Sequence, residues 1–230
     1  HLLEIERYNR LTIQTSRGCP HRCEFCAGSV LFCGHYRQKP AAKVLAELDR
    51  VLEVWKHPFI ELADDNSFVN RAYWLELLPE IAKRHIRWFA ETDVSVGEDP
   101  ELLGLLRRSG CAEVLIGLES PVPCGLDGVE MRANWKLGRL ERYRQALRTI
   151  QEHGIRVNGL RPQGMPETPR IHDSFQRYAE AAGATPQQFE AALASRTHPK
   201  RLSTLAELTD AAVFLASDRA AGMTGTILNL

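Results

Sequence analysis

The stretch RLTIQTSRGCPHRCEFCAG, residues 10–28, runs from a strand into a loop holding three of the chain's six cysteines. Its first part, RLTIQTS (10–16), is rich in β-branched residues and predicts a β-strand. Its second part places Cys19, Cys23 and Cys26 within eight positions, spaced C-x3-C-x2-C. Clustering that tight argues against three unrelated thiols. A structural zinc ion would need a fourth nitrogen or sulfur ligand, for which His21, His35 and Cys33 are the nearby candidates. Soft thiolates suit an iron–sulfur cluster better. With three cysteines for a four-iron cluster one iron lacks a protein ligand, and an open coordination position is where chemistry can happen.

Downstream of the loop, short apolar segments alternate with amphipathic ones. Residues 41–55 read as a helix with Val44, Leu48, Val51, Leu52 and Trp55 on one face. FIELADD (59–65) predicts a buried strand, followed by a helix over 71–85 with Pro79 inside it. RWFAETDVS (87–95) predicts a third strand. Asp99 then caps a helix with Pro100 at its first position and Gly110 just past its end. AEVLIGLES (112–120) is the fourth strand, 139–153 a helix closed by Gly154, and IRVNGL (155–160) a fifth strand. Strands joined by helical crossovers make a parallel sheet, either doubly wound or a (β/α) barrel. In both, ligands bind at the carboxyl ends of the strands, where the cysteine loop, ADDNS, ETDVS and LESP all fall.

The whole composition narrows the classes. Lys+Arg and Asp+Glu balance at 29 each, so no global field draws nucleic acid or an anionic membrane. No apolar run approaches the roughly 18 residues of a spanning helix, and no signal peptide is visible. Clustered cysteines without a secretory signal indicate metal or catalytic chemistry and a cytoplasmic location. A start at His1 rather than Met suggests a piece of something longer.

SRGCPHRCEFCAG, with aromatic Phe25 before the third cysteine, resembles the cluster loop of the radical SAM superfamily. RYNRLTIQTSRGCPHRCEFCAGS, YRQKP, FIELADDNSFVNRAYW, ETDVS and VLIGLESP, in that order, are similar to the branch that usually carries a cobalamin-binding domain upstream. The resemblance covers about residues 1–159. It implies a 4Fe–4S cluster on Cys19, Cys23 and Cys26, with S-adenosylmethionine on the fourth iron, cleaved reductively to a 5′-deoxyadenosyl radical. It further implies a reductant such as flavodoxin or ferredoxin, an unassigned small-molecule substrate, and cobalamin on a domain absent from this chain.

The resemblance also implies cofactor-binding residues. The backbone around Phe25 meets the adenine. Ala63, Asp64 and Asp65 stand where the family receives the methionine amino group, for which a carboxylate is the charge-assisted acceptor. Glu119 and Ser120 match the ribose position, and Glu91 and Asp93 face cofactor or substrate. Other readings compete: Asp64, Asp65 and Asn66 as caps of the next helix, and Glu119 as a loop acid. Cys33, Cys111 and Cys124 read as small apolar side chains or spare thiols. Trp135 reads as packed, Lys136 as solvated, and His35, His57 and His153 as solvated or capping.

The last seventy or so residues differ. LRPQGMPETPRIHDSFQRYAEAAG and KRLSTLAELTDAAVFLASDRAAGMTGTILNL resemble the end of a short-chain dehydrogenase/reductase, a Rossmann-type fold. Thr204 and Glu207 fit a capping box opening a helix over 205–216, and GTILNL (225–230) a final strand. No Gly-rich dinucleotide turn and no Tyr-x-x-x-Lys pair accompany it, and Thr168, matching a residue near the family's nicotinamide, has no partner constellation. The expected architecture is therefore an incomplete parallel (β/α) radical SAM barrel, residues 1–157, joined to a dehydrogenase-like tail, residues 158–230. Arg161 and Pro162 replace apolar barrel residues at the join, and the tail's helix and strand are placed to offer a substitute last barrel strand. The competing functions are an inactive chimera and an NAD(P)-dependent oxidoreductase remnant.

Overall fold

The computed structural model describes residue 4, residue 8 and residues 10–230 except 33, 132 and 163, and the backbone alone at 30, 170, 216 and 218. Cys33 thus lies outside the described residues. The chain divides into two compact units, His1–Val157 and Asn158–Leu230.

The first unit is built on a parallel sheet of β1 (Leu11–Ile13), β4 (Phe59–Leu62), β5 (Arg87–Thr92) and β6 (Cys111–Ile116), hydrogen-bonded in that order. A short antiparallel pair, β2 (Ser16–Arg17) with β3 (Arg37–Gln38), brackets the cysteine loop and α1 (Ala27–Phe32). Helix α2 (Ala41–Val54) leads to β4, α3 (Arg71–Ala82) to β5 and α4 (Pro100–Arg108) to β6. Spatial order follows chain order with no reversal, which is the winding of an unclosed (β/α) barrel and not of a doubly wound sheet.

Period-two burial decides which strand face meets the helices. Ile60 and Leu62 of β4, and Trp88 and Ala90 of β5, are buried with Val44, Leu48, Leu77, Ile81, Leu103 and Leu106 in one apolar cluster. The two tryptophans Trp74 and Trp88 stack with ring centroids 6.3 Å apart. Each indole N–H finds a carbonyl, Trp74 on Ser67 and Trp88 on Ser109, so neither of these buried donors is left unmade. Asp99 accepts from the Leu102 amide at 3.0 Å ahead of Pro100, as the helix-start pattern predicts.

Two elements depart from expectation. The helix predicted over 139–153 is α5 (Tyr143–Glu152), preceded by a tight turn over Leu137–Arg142. Tyr143, Ala146 and Ile150 face inward, as the periodicity requires. More consequentially, the fifth strand does not join the parallel sheet. Among the described residues only one bridge, Glu113 to Arg156, continues beyond β6. The following strand, β7 (Gly159–Arg161), belongs to the second unit and pairs in parallel with β8 (Ile227–Asn229). The reason lies at the join: Arg161 satisfies itself on the tail, its Nε donating to Asn229 Oδ1 at 2.7 Å, and Pro162 has no amide to extend a ladder. GTILNL therefore pairs with the end of IRVNGL, but in a separate two-stranded sheet.

Between β7 and β8 lie α6 (Pro169–Ala181), α7 (Pro186–Ala194) and α8 (Leu205–Ala216). The capping box at Thr204 is present, with the Glu207 amide donating to Thr204 Oγ1 and the Thr204 amide donating to Glu207 Oε2.

Candidate active site

The carboxyl ends of β4, β5 and β6 and the cysteine loop enclose one cavity of about 310 Å³. Cys19, Cys23, Phe25 and Cys26 come from the loop, Asp65 and Asn66 from beyond β4, Glu91 and Thr92 from β5 with Asp93 just past it, and Gly117 and Glu119 from beyond β6. His21 and Lys136 complete the polar wall.

Local geometry explains how the loop is held. Asp64 is buried and accepts from the Thr15 amide at 2.7 Å, the Ser16 amide at 2.8 Å and the Thr15 hydroxyl. Asp65 accepts from the Gly18 amide at 2.8 Å. Gly18 itself has φ of +84°, and a Cβ there would lie 1.8 Å from the His35 carbonyl oxygen, so only glycine makes this turn. On the far side the Glu24 amide donates to Val129 O at 2.9 Å and the Met131 amide to Arg22 O at 2.8 Å, strapping the loop to residues 129–131. The helix-cap reading of 64–66 does not describe these side chains: α3 is capped by Asn70, which accepts from the Tyr73 amide.

Of the sequence-predicted cofactor residues, Phe25, Asp65, Glu91 and Glu119 line the cavity together with all three clustered cysteines. Ala63, Asp64 and Ser120 do not line it. The Ala63 carbonyl accepts from Gln14 Nε2, Asp64 is occupied by the loop, and Ser120 Oγ closes a turn on Val122. Cys111 is buried, its thiol pushed up to about 12 by burial, and Cys124 is exposed.

Lys136 is the largest correction. Expected in solvent, it is 5% exposed, and its ammonium pairs with Glu119 and donates to Gly117 O at 3.1 Å. A lysine in a polar loop gives no local signal of this, because the partner acid lies seventeen residues earlier in the chain. Glu119 holds the left-handed conformation, φ +62°, which aims its side chain back along the cavity rim. Asn66 and the engagement of His21 were likewise invisible: His21 Nε2 lies 3.3 Å from Asp93 Oδ2, and its ring packs on Trp135 with centroids 4.3 Å apart. Trp135 is packed as expected, with Arg139 over its ring at 3.9 Å.

Burial and neighbouring charges set the ionisation of the groups in the cavity. Burial pushes the Cys19 thiol up and the Cys23 thiol to about 11, the latter against the lowering pull of the Lys136 ammonium. Both shifts favour the protonated thiol, and any metal bound here would have to displace those protons. Burial and then the neighbouring carboxylates Glu61, Asp65 and Asp64 push the Glu91 carboxyl up. Burial opposes ionisation of Asp93 as well, yet hydrogen bonds from His21, Ser95 and Asn66 outweigh it and hold this carboxyl well below the usual range.

Among the described residues no three His, Cys, Asp or Glu side chains converge on a point that one metal ion would fill. The thiols share a cavity, not a single coordination point, and His21 Nε2 is turned to Asp93. That donor set fits a multi-iron cluster, in which each thiolate takes a different iron, better than a lone zinc ion.

The profile of the Radical SAM superfamily matches residues 13–177. The chain belongs to the radical SAM superfamily. A hopanoid C-2 methylase of Rhodopseudomonas palustris (strain TIE-1) is 32% identical over 186 residues, 78% of this chain and 34% of its own length. The radical S-adenosylmethionine methyltransferase TsrM of Kitasatospora setae, solved with its tryptophan substrate and the analogue aza-SAM, is 26% identical, with a TM-score of 0.56 over 75% of this chain and 35% of its own. The same enzyme solved with cobalamin and a 4Fe–4S cluster gives a TM-score of 0.55 at 23% identity, over 75% and 34%. This radical SAM chain thus spans about a third of the length of these relatives. A second profile, described as Enoyl-(Acyl carrier protein) reductase, matches residues 127–230, so the tail is similar to the short-chain dehydrogenases. Among the described residues no helix is long and apolar enough to cross a membrane.

Proposed function

We propose that this chain holds a 4Fe–4S cluster on Cys19, Cys23 and Cys26 and uses it to cleave S-adenosylmethionine reductively. The observation that carries the proposal is that three thiols, four carboxylates and one ammonium line a single cavity at the carboxyl ends of parallel strands. When bound, the cluster supplies an electron and an open iron position, through which S-adenosylmethionine yields methionine and a 5′-deoxyadenosyl radical.

The chain's own residues bind and orient. Asp65, anchored by the Gly18 amide, and Glu91, crowded by other acids, offer carboxylates to an ammonium at the β4–β5 rim. Glu119, held by Lys136, presents its free oxygen to hydroxyl donors at the β6 rim. Phe25, lining the cavity yet half-exposed, is the apolar surface for an adenine ring. Ala63, Asp64 and Ser120 act one step back, keeping the loops that carry these groups in place. Half-buried Cys19 and buried Cys23, whose protonated thiols burial favours, would give up their protons on taking iron.

The similarity to a hopanoid C-2 methylase and to a methyltransferase solved with cobalamin supports methyl transfer to a small molecule as the outcome, with cobalamin held by a domain outside this chain. A low-potential flavodoxin or ferredoxin would deliver the electron, in the cytoplasm, where thiols stay reduced. The test is anaerobic reconstitution with iron and sulfide, then dithionite and S-adenosylmethionine. Methionine and 5′-deoxyadenosine should form, and Cys23→Ala should abolish both. Iron-free wild-type protein, or product that survives Cys23→Ala, overturns the proposal.

A further inference from the structure

Asn66 is 3% exposed, yet its side chain makes no cap on the short helical turn that follows it. Its bonds point elsewhere. Nδ2 donates to Asp93 Oδ2 at 2.7 Å and lies 3.8 Å from Cys19 Sγ as a second donor contact, while Oδ1 accepts from Thr92 Oγ1 at 3.3 Å. A carboxylate only accepts, so the nitrogen of the amide must face Asp93, and the oxygen then faces the Thr92 hydroxyl, which donates to it. Asp93 is fixed in turn: Oδ1 accepts from the Ser95 amide at 2.9 Å, and Oδ2 meets His21. One N–H of the amide is therefore spent on Asp93, and the other is left for the sulfur. The amide stands between a carboxylate and a cysteine that both carry negative charge once metal is bound, and donates to each.

We infer that Asn66 is a positioning residue for the cluster, a hydrogen-bond donor to the Cys19 sulfur held in place by Thr92 and Asp93, which raises the reduction potential of the bound cluster. The inference rests on the cluster assignment above. A donor on a ligating sulfur draws charge from it and favours the more negative, reduced state, and hydrogen bonds to sulfur are among the features that set such potentials. Asn66→Ala removes the donor. Thr92→Val keeps the shape of a buried side chain but releases the amide oxygen, so the donor loses its aim. Asn66→Gln restores an amide at the cost of one methylene.

The experiment is a redox titration of the reconstituted protein followed by electron paramagnetic resonance, with iron and sulfide counted in each sample. Asn66→Ala should lower the midpoint potential at equal iron content, Thr92→Val should lower it less, and Asn66→Gln should restore part of the shift. An unchanged midpoint in Asn66→Ala with its cluster retained overturns the inference alone. Should Asn66→Ala fail to keep its cluster, Thr92→Val decides: a lowered midpoint supports the inference and an unchanged one overturns it. Wild-type protein that takes up no iron and sulfide overturns the cluster assignment and this inference with it.

Discussion

Lys136 shows what one residue contributes to this site. Its ammonium is almost wholly buried, so its charge must be met inside the protein, and it is met by the Glu119 carboxylate and the Gly117 carbonyl. Its own amide donates to the buried carboxylate of Glu130, at 3.1 Å, and Glu130 is bridged through the backbone to Cys23. The lysine thus ties the β6 rim to the cysteine loop. Replacing it by methionine keeps the stem and deletes the charge. Lys136→Met should cost about 2 kcal/mol, the scale of hydrogen bonds to charged groups. In a cycle with Glu119→Gln the two changes should be non-additive by about 1 kcal/mol, because they remove one shared interaction. Urea denaturation of the four metal-free proteins measures it, and strictly additive costs would show that the pair is not coupled.

At the scale of elements, the site depends on loops whose shape is set by backbone chemistry. The cysteine loop begins at Gly18, whose positive φ and contact with the His35 carbonyl admit no side chain. Gly18→Ala should cost about 2–3 kcal/mol and reduce iron uptake, since it displaces Cys19 along with the turn. Gly138, with open space where a Cβ would go, is the control, and Gly138→Ala should leave both the urea midpoint and iron content unchanged. The regular elements were legible in the sequence because their signals are local. Val44 and Leu48 repeat at helical spacing, β4 and β5 alternate, and Asp99–Pro100 and Thr204–Glu207 mark helix starts. The three thiols were legible for the same reason. What escaped were groups defined by distant partners: Lys136 by Glu119, Asn66 by Asp93 and Cys19, Asp64 by the Thr15–Ser16 backbone. The fifth strand misled because IRVNGL has the right composition for a barrel strand, while its pairing is decided by the tail strand that competes for it.

At the scale of the molecule, two family profiles overlap across residues 127–177, and both run through the boundary between the compact units at Val157 and Asn158. The physical inequality of the units is what decides behaviour. The first unit buries one large apolar cluster, including Trp74, Trp88, Leu77 and Ile150, and a small one of Val94, Leu126, Tyr143 and Ala146. In the second, the buried apolar side chains among the described residues are Ala179, Leu202, Leu215 and Ala220. A segment of this size with so little apolar burial has scant means of offsetting its chain entropy, and its helices depend on local devices such as the capping box at Thr204. It should open far more often than the first unit does. Limited trypsin digestion of the intact chain should therefore cut first within residues 158–230, at least ~10-fold faster than within α2 to α5, as a gap of 1.4 kcal/mol or more in opening free energy requires. The surviving fragment should end near Val157 and keep Cys19, Cys23, Cys26 and Lys136. If the sheet and its helices need nothing from the tail, that fragment should retain the iron of the reconstituted protein. First cuts within α2 to α5, with the tail intact, would instead mean that the four-stranded sheet is the weaker partner and that its unclosed edge, not the foreign tail, limits this chain.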